Sequence, residues 1–509
     1  MSGFRTGEAV RGDRIAVDPP LSRVALSGSR IIAAYQKLLF ILFLLTLPLA
    51  NPWVRGDGVG YYAYLRSALI DHDLRFENDY LAANESFVLF HVDSQGRLLS
   101  SFYTKTGYVE NHFSVGPAIL WAPMMIAVHG SVLLADRFGA HVAADGYSRP
   151  YLLAMSLTTA CYGFLSLLLS FRIARKYFED SWVFLATVGI WMASSLPIYM
   201  YFNPSWSHAL SAFSVALFIW YWEGTRLRRT PGQWAILGLT AGLMGNVYYP
   251  NVICLVFPAL EVIHLLREKR RNSGQAIVPT QGLALHCGVF LAAFIGALLP
   301  TFVTRKVIYG SPFETGYPGI GTWNWSSPAL LKVLFSADHG MFSWTPVLVL
   351  AVIGLFFLIK RDALLGAGSL LTFLAYYYFI ASYPDWDGLS SFGNRFFISL
   401  TPIFILGLAA LLSAFSGLLG KTQRAVAIVC PILTLFIAWN IGFIFQWGTH
   451  MVPARGEISW SIMIHNQFVE VPRRMTRSLE TYFTRRGEMM QHIEQEDIQQ
   501  QNLEDKRGE

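Results

Sequence analysis

Apolar runs of close to 20 residues recur between residues 31 and 447, and a helix of about 20 such residues crosses the ~30 Å hydrocarbon core of a bilayer. In that medium each backbone N–H and C=O must find a partner inside the protein, which leaves helices and closed barrels as spanning structures. Runs of this length are helical. Of the 509 residues 53% are hydrophobic and only 14% are charged, against about 25% charged in ordinary soluble domains. The fold class expected is an all-α polytopic membrane protein.

Basic residues decide which way the helices run. The formal net charge is +6, but the Lys and Arg residues stand in short clusters between apolar runs, which is a topology signal and not a nucleic-acid-binding surface. The clusters are Arg172, Arg175 and Lys176; Arg226, Arg228 and Arg229; Arg267, Lys269, Arg270 and Arg271; Lys360 and Arg361; and Lys421 and Arg424. The connections between them are poor in such residues: 202–205 and 248–249 have none, and 382–395 has only Arg395. Short cytoplasmic loops collect Lys and Arg, so the clustered loops are placed inside and the others outside.

Spans are expected near 33–50, 150–171, 182–201, 206–222, 233–247, 250–266, 284–304, 341–360, 364–381, 396–417 and 426–447, about 11 transmembrane helices. A further apolar run, 114–134, would invert every later loop if it crossed. It is therefore read as an interfacial or re-entrant helix, which Pro117, Pro123, His129 and Gly130 suit. The expected organisation is a disordered cytoplasmic leader at 1–30, a transmembrane domain at 31–447 with an external loop at 51–149, and an external tail at 448–509. The end of the tail, rich in Gln and Glu from Met489 onward, reads as a solvated helix or disorder. Cys161, Cys254, Cys287 and Cys430 all fall in apolar segments, where none can staple an external loop.

Polar residues sort to one face. Asp57 follows the first span in Asn51-Pro-Trp-Val-Arg-Gly-Asp57-Gly-Val-Gly, with a glycine on either side. Such flanks let backbone approach closely and leave a carboxylate uncovered, as a general base or a ligand for a divalent ion requires. The alternative is a plain Gly-Asp-Gly turn. Tyr61 to Leu74 has a helical apolar period and is expected to form an amphipathic interfacial helix with anchoring aromatics. Lys105, Glu110 and His112 then lead to the start of the 114–134 run, where free backbone N–H groups favour a phosphate; a wetted loop is the alternative. His208 opens a span, and Asp385, Asp387 and Arg395 precede another. Arg395 can hold a substrate phosphate or merely snorkel to lipid headgroups.

An Asp just outside the first span, an interfacial helix, and a Lys/His-bearing loop before Gly116-Pro-Ala-Ile-Leu-Trp-Ala-Pro123 together resemble the GT-C glycosyltransferases. Within them the bacterial branch related to protein mannosyltransferases and lipid A aminoarabinose transferases is the most similar. Asn203-Pro-Ser-Trp-Ser-His208, Phe335-Ser-Ala-Asp-His-Gly-Met-Phe-Ser-Trp-Thr-Pro346 and Gly393-Asn-Arg395 agree, over roughly residues 31–447. The resemblance implies inverting sugar transfer from a polyprenyl-phosphate donor to a lipid, glycan or protein acceptor on the outer face. It implies Asp57 as base or metal ligand, with Mg or Mn as the metal, and Lys105, His112 and Arg395 on the departing phosphate. The sequence departs from the family in two places. Gly58 stands where many relatives carry a second acid, and Tyr248, Tyr249 and Pro250 where relatives often carry a Lys or Arg. A bacterial inner membrane, with this face in the periplasm, is the expected location. The competing reading is a secondary transporter or lipid flippase, which would set ionisable residues near the bilayer midplane; the spans here hold few.

Overall fold

The computed structural model describes residues 22–271, 282–420 and 422–508. Residues 1–21 of the expected leader lie outside the described residues, and α1 (Ser22–Thr46) starts within it because no proline separates that stretch from the apolar run. The chain then passes through α2 (Asp57–Arg66), α3 (Glu77–Leu81), α4 (Glu85–His91) and α5 (Gly116–Arg137). The bundle continues with α6 (Arg149–Ala174), α7 (Asp180–Met192), α8 (His208–Thr225), α9 (Pro231–Val247) and α10 (Val256–Arg271). Next come α11 (Leu283–Ala297) and α12 (Leu299–Tyr309), bent by 43° at their junction. The short α13 (Leu330–Phe335) and α14 (Met341–Trp344) lead to α15 (Val347–Arg361), α16 (Ala363–Ser382), α17 (Thr401–Leu419) and α18 (Thr422–Gly448). The tail forms α19 (Trp460–His465), α20 (Val471–Thr484) and α21 (Arg486–Gly508). Two single β-bridges, Val92 to Leu98 and Tyr103 to Val109, stand outside the helices among the described residues.

The protein is an all-α polytopic membrane protein. Among the described residues six helices are long and apolar enough to cross a membrane, seven if the bent pair counts as one. Several expected spans are interrupted. The run 182–201 breaks after Met192, where Pro197 leads into a π-helical turn, and 341–360 is divided at Thr345 and Pro346, because a proline ring removes a helix hydrogen bond and clashes with the preceding turn. The Arg395–Leu419 stretch, a 3₁₀ turn leading into α17, runs through the centre of the bundle. It meets α15 so closely that a Cβ on Gly354 would fall 1.8 Å from the carbonyl oxygen of Gly407, the close backbone approach that small residues allow between membrane helices.

The bundle has two chemically different ends. At one, Lys176 and Tyr177 hold Glu223, Arg226 donates to Asp362 at 2.9 Å, and Arg229 pairs with the fully buried Glu261 at 2.7 Å. The basic loops therefore meet at one end, and Asp57 lies at the other. α5 is long and apolar enough to span, yet it starts against Asn246 and Val247, and the chain after it returns to α2, with Arg66 Nε donating to the Asp145 carbonyl at 2.9 Å. The expected interfacial helix is instead core: Tyr61, Tyr62, Tyr64 and Leu65 are buried, against Phe113, Trp121 and Phe76. Its aromatics pack inside the protein because α5 and the 108–113 loop cover the face that periodicity assigns to lipid.

Candidate active site

Asp57 is the first residue of α2, and its position follows from contacts with the segment before α8. The Trp206 indole N–H donates to the Arg55 carbonyl at 2.9 Å, and the Asn51 N–H to the Tyr201 carbonyl at 2.7 Å. Gly56 has φ +52°, and a Cβ on Gly58 would lie 1.9 Å from Ser205 Oγ. Both glycines that flank Asp57 are required, one for its left-handed backbone and one for its close approach.

The Asp57 carboxylate meets a guanidinium from the far end of the chain. Its Oδ2 lies 2.7 Å from Arg395 Nη1. Arg395 opens the 3₁₀ turn Arg395–Leu400, and its guanidinium sits 4.3 Å over the Trp206 ring. A buried guanidinium cannot shed its proton and needs compensation, which the carboxylate and the indole face supply. Arg395 Nε, also buried, has no hydrogen-bond partner.

Two cavities meet at Asp57. One, of about 650 Å³, runs between α4, the 203–206 segment and the tail, where His450, Asp497 and Gln500 line it among apolar groups such as Phe87, Phe90 and Ile493. The other, of about 530 Å³, is walled by aromatic groups, among them Tyr61, Tyr248, Tyr249, Tyr317, Trp323 and Tyr383, and is bounded by Phe379 and Ile380 of α16. Asp57, Glu110, His112, Phe113 and Leu389 line both. Arg395 lines the aromatic one.

The residues singled out in the sequence divide. His112 Nδ1 and Glu110 Oε1 are 3.7 Å apart at the junction, with the imidazole against Tyr317. His208 is buried among the rings of Tyr199, Trp206 and Tyr248, its Nδ1 without a partner. Asp385 lines the aromatic cavity. Asp387 points elsewhere, toward Asp338 and His339. Lys105 is exposed on the 103–109 turn, with its stem facing Gly310, and lines neither cavity. Among the described residues Asp57 belongs to no group of three convergent metal ligands, and its partner is itself a cation.

Sequence reasoning missed three contributors. Arg305 of α12 donates to the carbonyls of Asn111, His112 and Phe113 at 2.7–2.8 Å and to the Tyr249 hydroxyl at 3.1 Å, so it clamps the loop that carries His112. Tyr248 and Tyr249, noted only as a departure from a family pattern, are cavity walls. The tail is the third: α21 is a packed helix whose Glu494 carboxylate accepts from Asn84 Nδ2 at 2.8 Å and from the Ser86 N–H at 2.6 Å. His450 sits between Glu496 (2.7 Å) and Asp497 (3.0 Å), and Arg55 pairs with Asp497. Burial alone would lower the His450 pKa, but the two carboxylates outweigh it and raise it; for Asp497, burial is outweighed by His450 and Arg55 and the pKa falls. The long spacing of these polar pairs leaves no periodic trace in the sequence.

No protein-family model matches the sequence, and no curated protein does. Solved structures do. The oligosaccharyltransferase AglB from Archaeoglobus fulgidus, in complex with an inhibitory peptide and a dolichol-phosphate, is similar over 82% of this chain and 58% of its own, at 13% identity and a TM-score of 0.49. The Archaeoglobus fulgidus oligosaccharyltransferase in complex with Zn and sulfate is similar over 82% and 55%, at 14% identity and a TM-score of 0.48. ArnT from Cupriavidus metallidurans bound to undecaprenyl phosphate is similar over 82% and 72%, at 10% identity and a TM-score of 0.42. This chain spans little more than half the length of the two oligosaccharyltransferase chains.

Proposed function

We propose that the chain is a membrane glycosyltransferase that moves a sugar from a polyprenyl-phosphate-linked donor to a lipid, glycan or protein acceptor. The transfer takes place at the end of the bundle that carries Asp57, facing the periplasm of a bacterial inner membrane. The observation that carries the reading is the Asp57–Arg395 pair at the junction of two cavities. α16, which bounds the aromatic cavity, is long and apolar enough to span, so that cavity adjoins the lipid zone and suits the polyprenyl phosphate with its sugar. The other cavity, with Arg55, His450 and Asp497 in its wall, suits the acceptor.

In this arrangement the Asp57 carboxylate takes the proton of the acceptor hydroxyl. A bond forms between that oxygen and the anomeric carbon as the bond to the phosphate oxygen breaks. The electron pair leaves with the polyprenyl phosphate, whose charge the Arg395 guanidinium and His112 balance. Attack from the cavity opposite the leaving group inverts the anomeric centre. Asp57 serves as base and not as metal ligand, since no ligand set converges on it among the described residues. Two of the buried charges elsewhere are committed to fixed partners, Arg229 to Glu261 and Arg305 to three carbonyls, which speaks against ion-coupled transport through them. The deciding experiment is sugar transfer from a polyprenyl-phosphate donor in proteoliposomes by the protein and by Asp57→Asn. Transfer that disappears in a folded variant supports the reading; undiminished transfer, or ion-dependent uptake without transfer, overturns it.

A further inference from the structure

Away from Asp57, the segment between α13 and α14 and the loop before Arg395 bring three ligating side chains together. One ligand atom each from Asp338, His339 and Asp387 lies within 4.8 Å of the others. A cluster of this kind carries weight only if something in it lacks a partner. Here His339 is fully buried, and neither of its ring nitrogens makes a hydrogen bond. Its Nδ1 lies 3.1 Å from Asp338 Oδ1, yet that buried oxygen also has no hydrogen-bond partner. Leaving one such polar atom unsatisfied costs about 1–3 kcal/mol, and here several stand together.

The backbone holds the arrangement open. His339 adopts φ +54°, a left-handed conformation that is uncommon for a side-chain-bearing residue. The turn is fixed from outside the cluster: the Trp344 indole N–H donates to the Ala337 carbonyl at 3.0 Å, Ser343 Oγ to the Ser336 carbonyl at 2.5 Å, and the Asp338 N–H to Ser336 Oγ at 3.0 Å. The His339 ring rests 4.7 Å from that of Trp344. Two ligands of one tetrahedral ion with bonds of about 2.0–2.1 Å stand roughly 3.3 Å apart, close to the observed separation of His339 Nδ1 and Asp338 Oδ1. An ion between the two atoms would account for their facing each other at that distance while neither has a hydrogen-bond partner.

We propose that Asp338, His339 and Asp387 bind a divalent transition-metal ion, Zn²⁺ in the first instance, at a positioning site separate from Asp57. A buried imidazole with two carboxylates favours Zn²⁺ or Mn²⁺ over Mg²⁺ and Ca²⁺, which prefer all-oxygen sites. Three protein ligands leave one position for water. The ion acts at a distance from the chemistry. Asp387 is followed by Gly388, which faces the Arg395 side chain, and Asn394 Nδ2 donates to the Trp386 carbonyl at 2.9 Å. Tying Asp387 to the 336–340 turn therefore fixes the loop from which Asp385 enters the aromatic cavity and on which Arg395 is aimed.

The test reads metal binding and needs no assay of transfer, so its failure is distinct from failure of the proposed activity. The full-length protein in detergent is stripped with chelator, and bound metal and thermal midpoint are measured after addition of Zn²⁺, Mn²⁺, Mg²⁺ or Ca²⁺ separately. About one equivalent of Zn²⁺ or Mn²⁺ with a raised midpoint is expected, lost in His339→Gln and Asp387→Asn and kept in Asp57→Asn. Asp387→Asn, on a partly exposed loop residue, serves if His339→Gln does not fold. Less than 0.1 equivalent with no shift, response to Mg²⁺ and Ca²⁺ alone, retention in both site variants, or loss in Asp57→Asn would each overturn the assignment.

Discussion

Asp57 Oδ2 and Arg395 Nη1 lie 2.7 Å apart, joining the start of α2 to the entry of the central span. The ion pair engages one Asp57 oxygen and leaves Arg395 Nε without a hydrogen-bond partner, so the proposed function gives the other oxygen a proton to take and the guanidinium an anion to balance. A turn carboxylate and a snorkelling arginine, each bland alone, face each other where two cavities meet, and the proposed function assigns them acid–base and electrostatic roles.

Asp57→Asn removes the base while retaining shape, and transfer should fall by about 10²–10⁴, the usual contribution of general base catalysis. Lys105→Ala, on the exposed turn outside both cavities, should change transfer by less than about twofold, as exposed charges contribute little. Initial rates with saturating donor for both variants, each checked for folding, give the comparison. Equal losses would contradict the placement of Lys105.

Gly58→Ala should destabilise the protein, because the added methyl would fall 1.9 Å from Ser205 Oγ and 2.5 Å from its Cβ. Overpacking of this kind costs about 1–3 kcal/mol. Ser205→Gly in the same chain should restore part of the loss in thermal midpoint. A double-mutant cycle with no coupling would show that α2 does not dock there.

Arg305→Met keeps the length of the stem but removes the donors to Asn111, His112 and Phe113. Hydrogen bonds from a charged donor are worth about 1.5–3 kcal/mol each, so a loss of several kcal/mol is expected. Faster amide hydrogen exchange across residues 110–114 should accompany it, and transfer should fall because His112 loses its support.

Docking of α21 should depend on pH. The raised pKa of His450 means that its contribution is complete below about 6.5 and is lost as the pH rises through the raised value. The depressed pKa of Asp497 means that its contribution is complete above about 3.8 and is lost as the pH falls through the lowered value. Docking is therefore strongest between roughly pH 4 and 6.5 and loosens on the alkaline side. Limited proteolysis near Arg485 across this range should follow that course, and His450→Gln should flatten its alkaline limb.

Some of this was readable from residue order. The flanking glycines of Asp57 mark a close approach, and that is their role against Trp206 and Ser205. Arg395, before its span, does face the site. Other residues could not be read so. Lys105 and His112 share one loop, yet a two-residue bridge at Tyr103 and Val109 turns Lys105 away. Asp385 and Asp387 stand in one tight turn, closed by the Gly388 N–H to the Asp385 carbonyl at 3.0 Å, so one enters the cavity and the other meets His339. Arg305 reads as an ordinary residue of an apolar helix until its partners, nearly 200 positions earlier, are in place.

The sequence by itself determined that this is a helical membrane protein, that its basic loops share one end, and that its polar residues share the other. Those properties follow from run length, composition and charge, which act locally or by simple summation along the chain. Only the tertiary structure decided which carboxylate meets which cation, that the aromatics of α2 are core, and that the tail walls a cavity. Ion pairs, cavities and buried partners depend on separations of a few ångströms between segments distant in the chain. No periodicity records them, because packing of the whole bundle sets those distances.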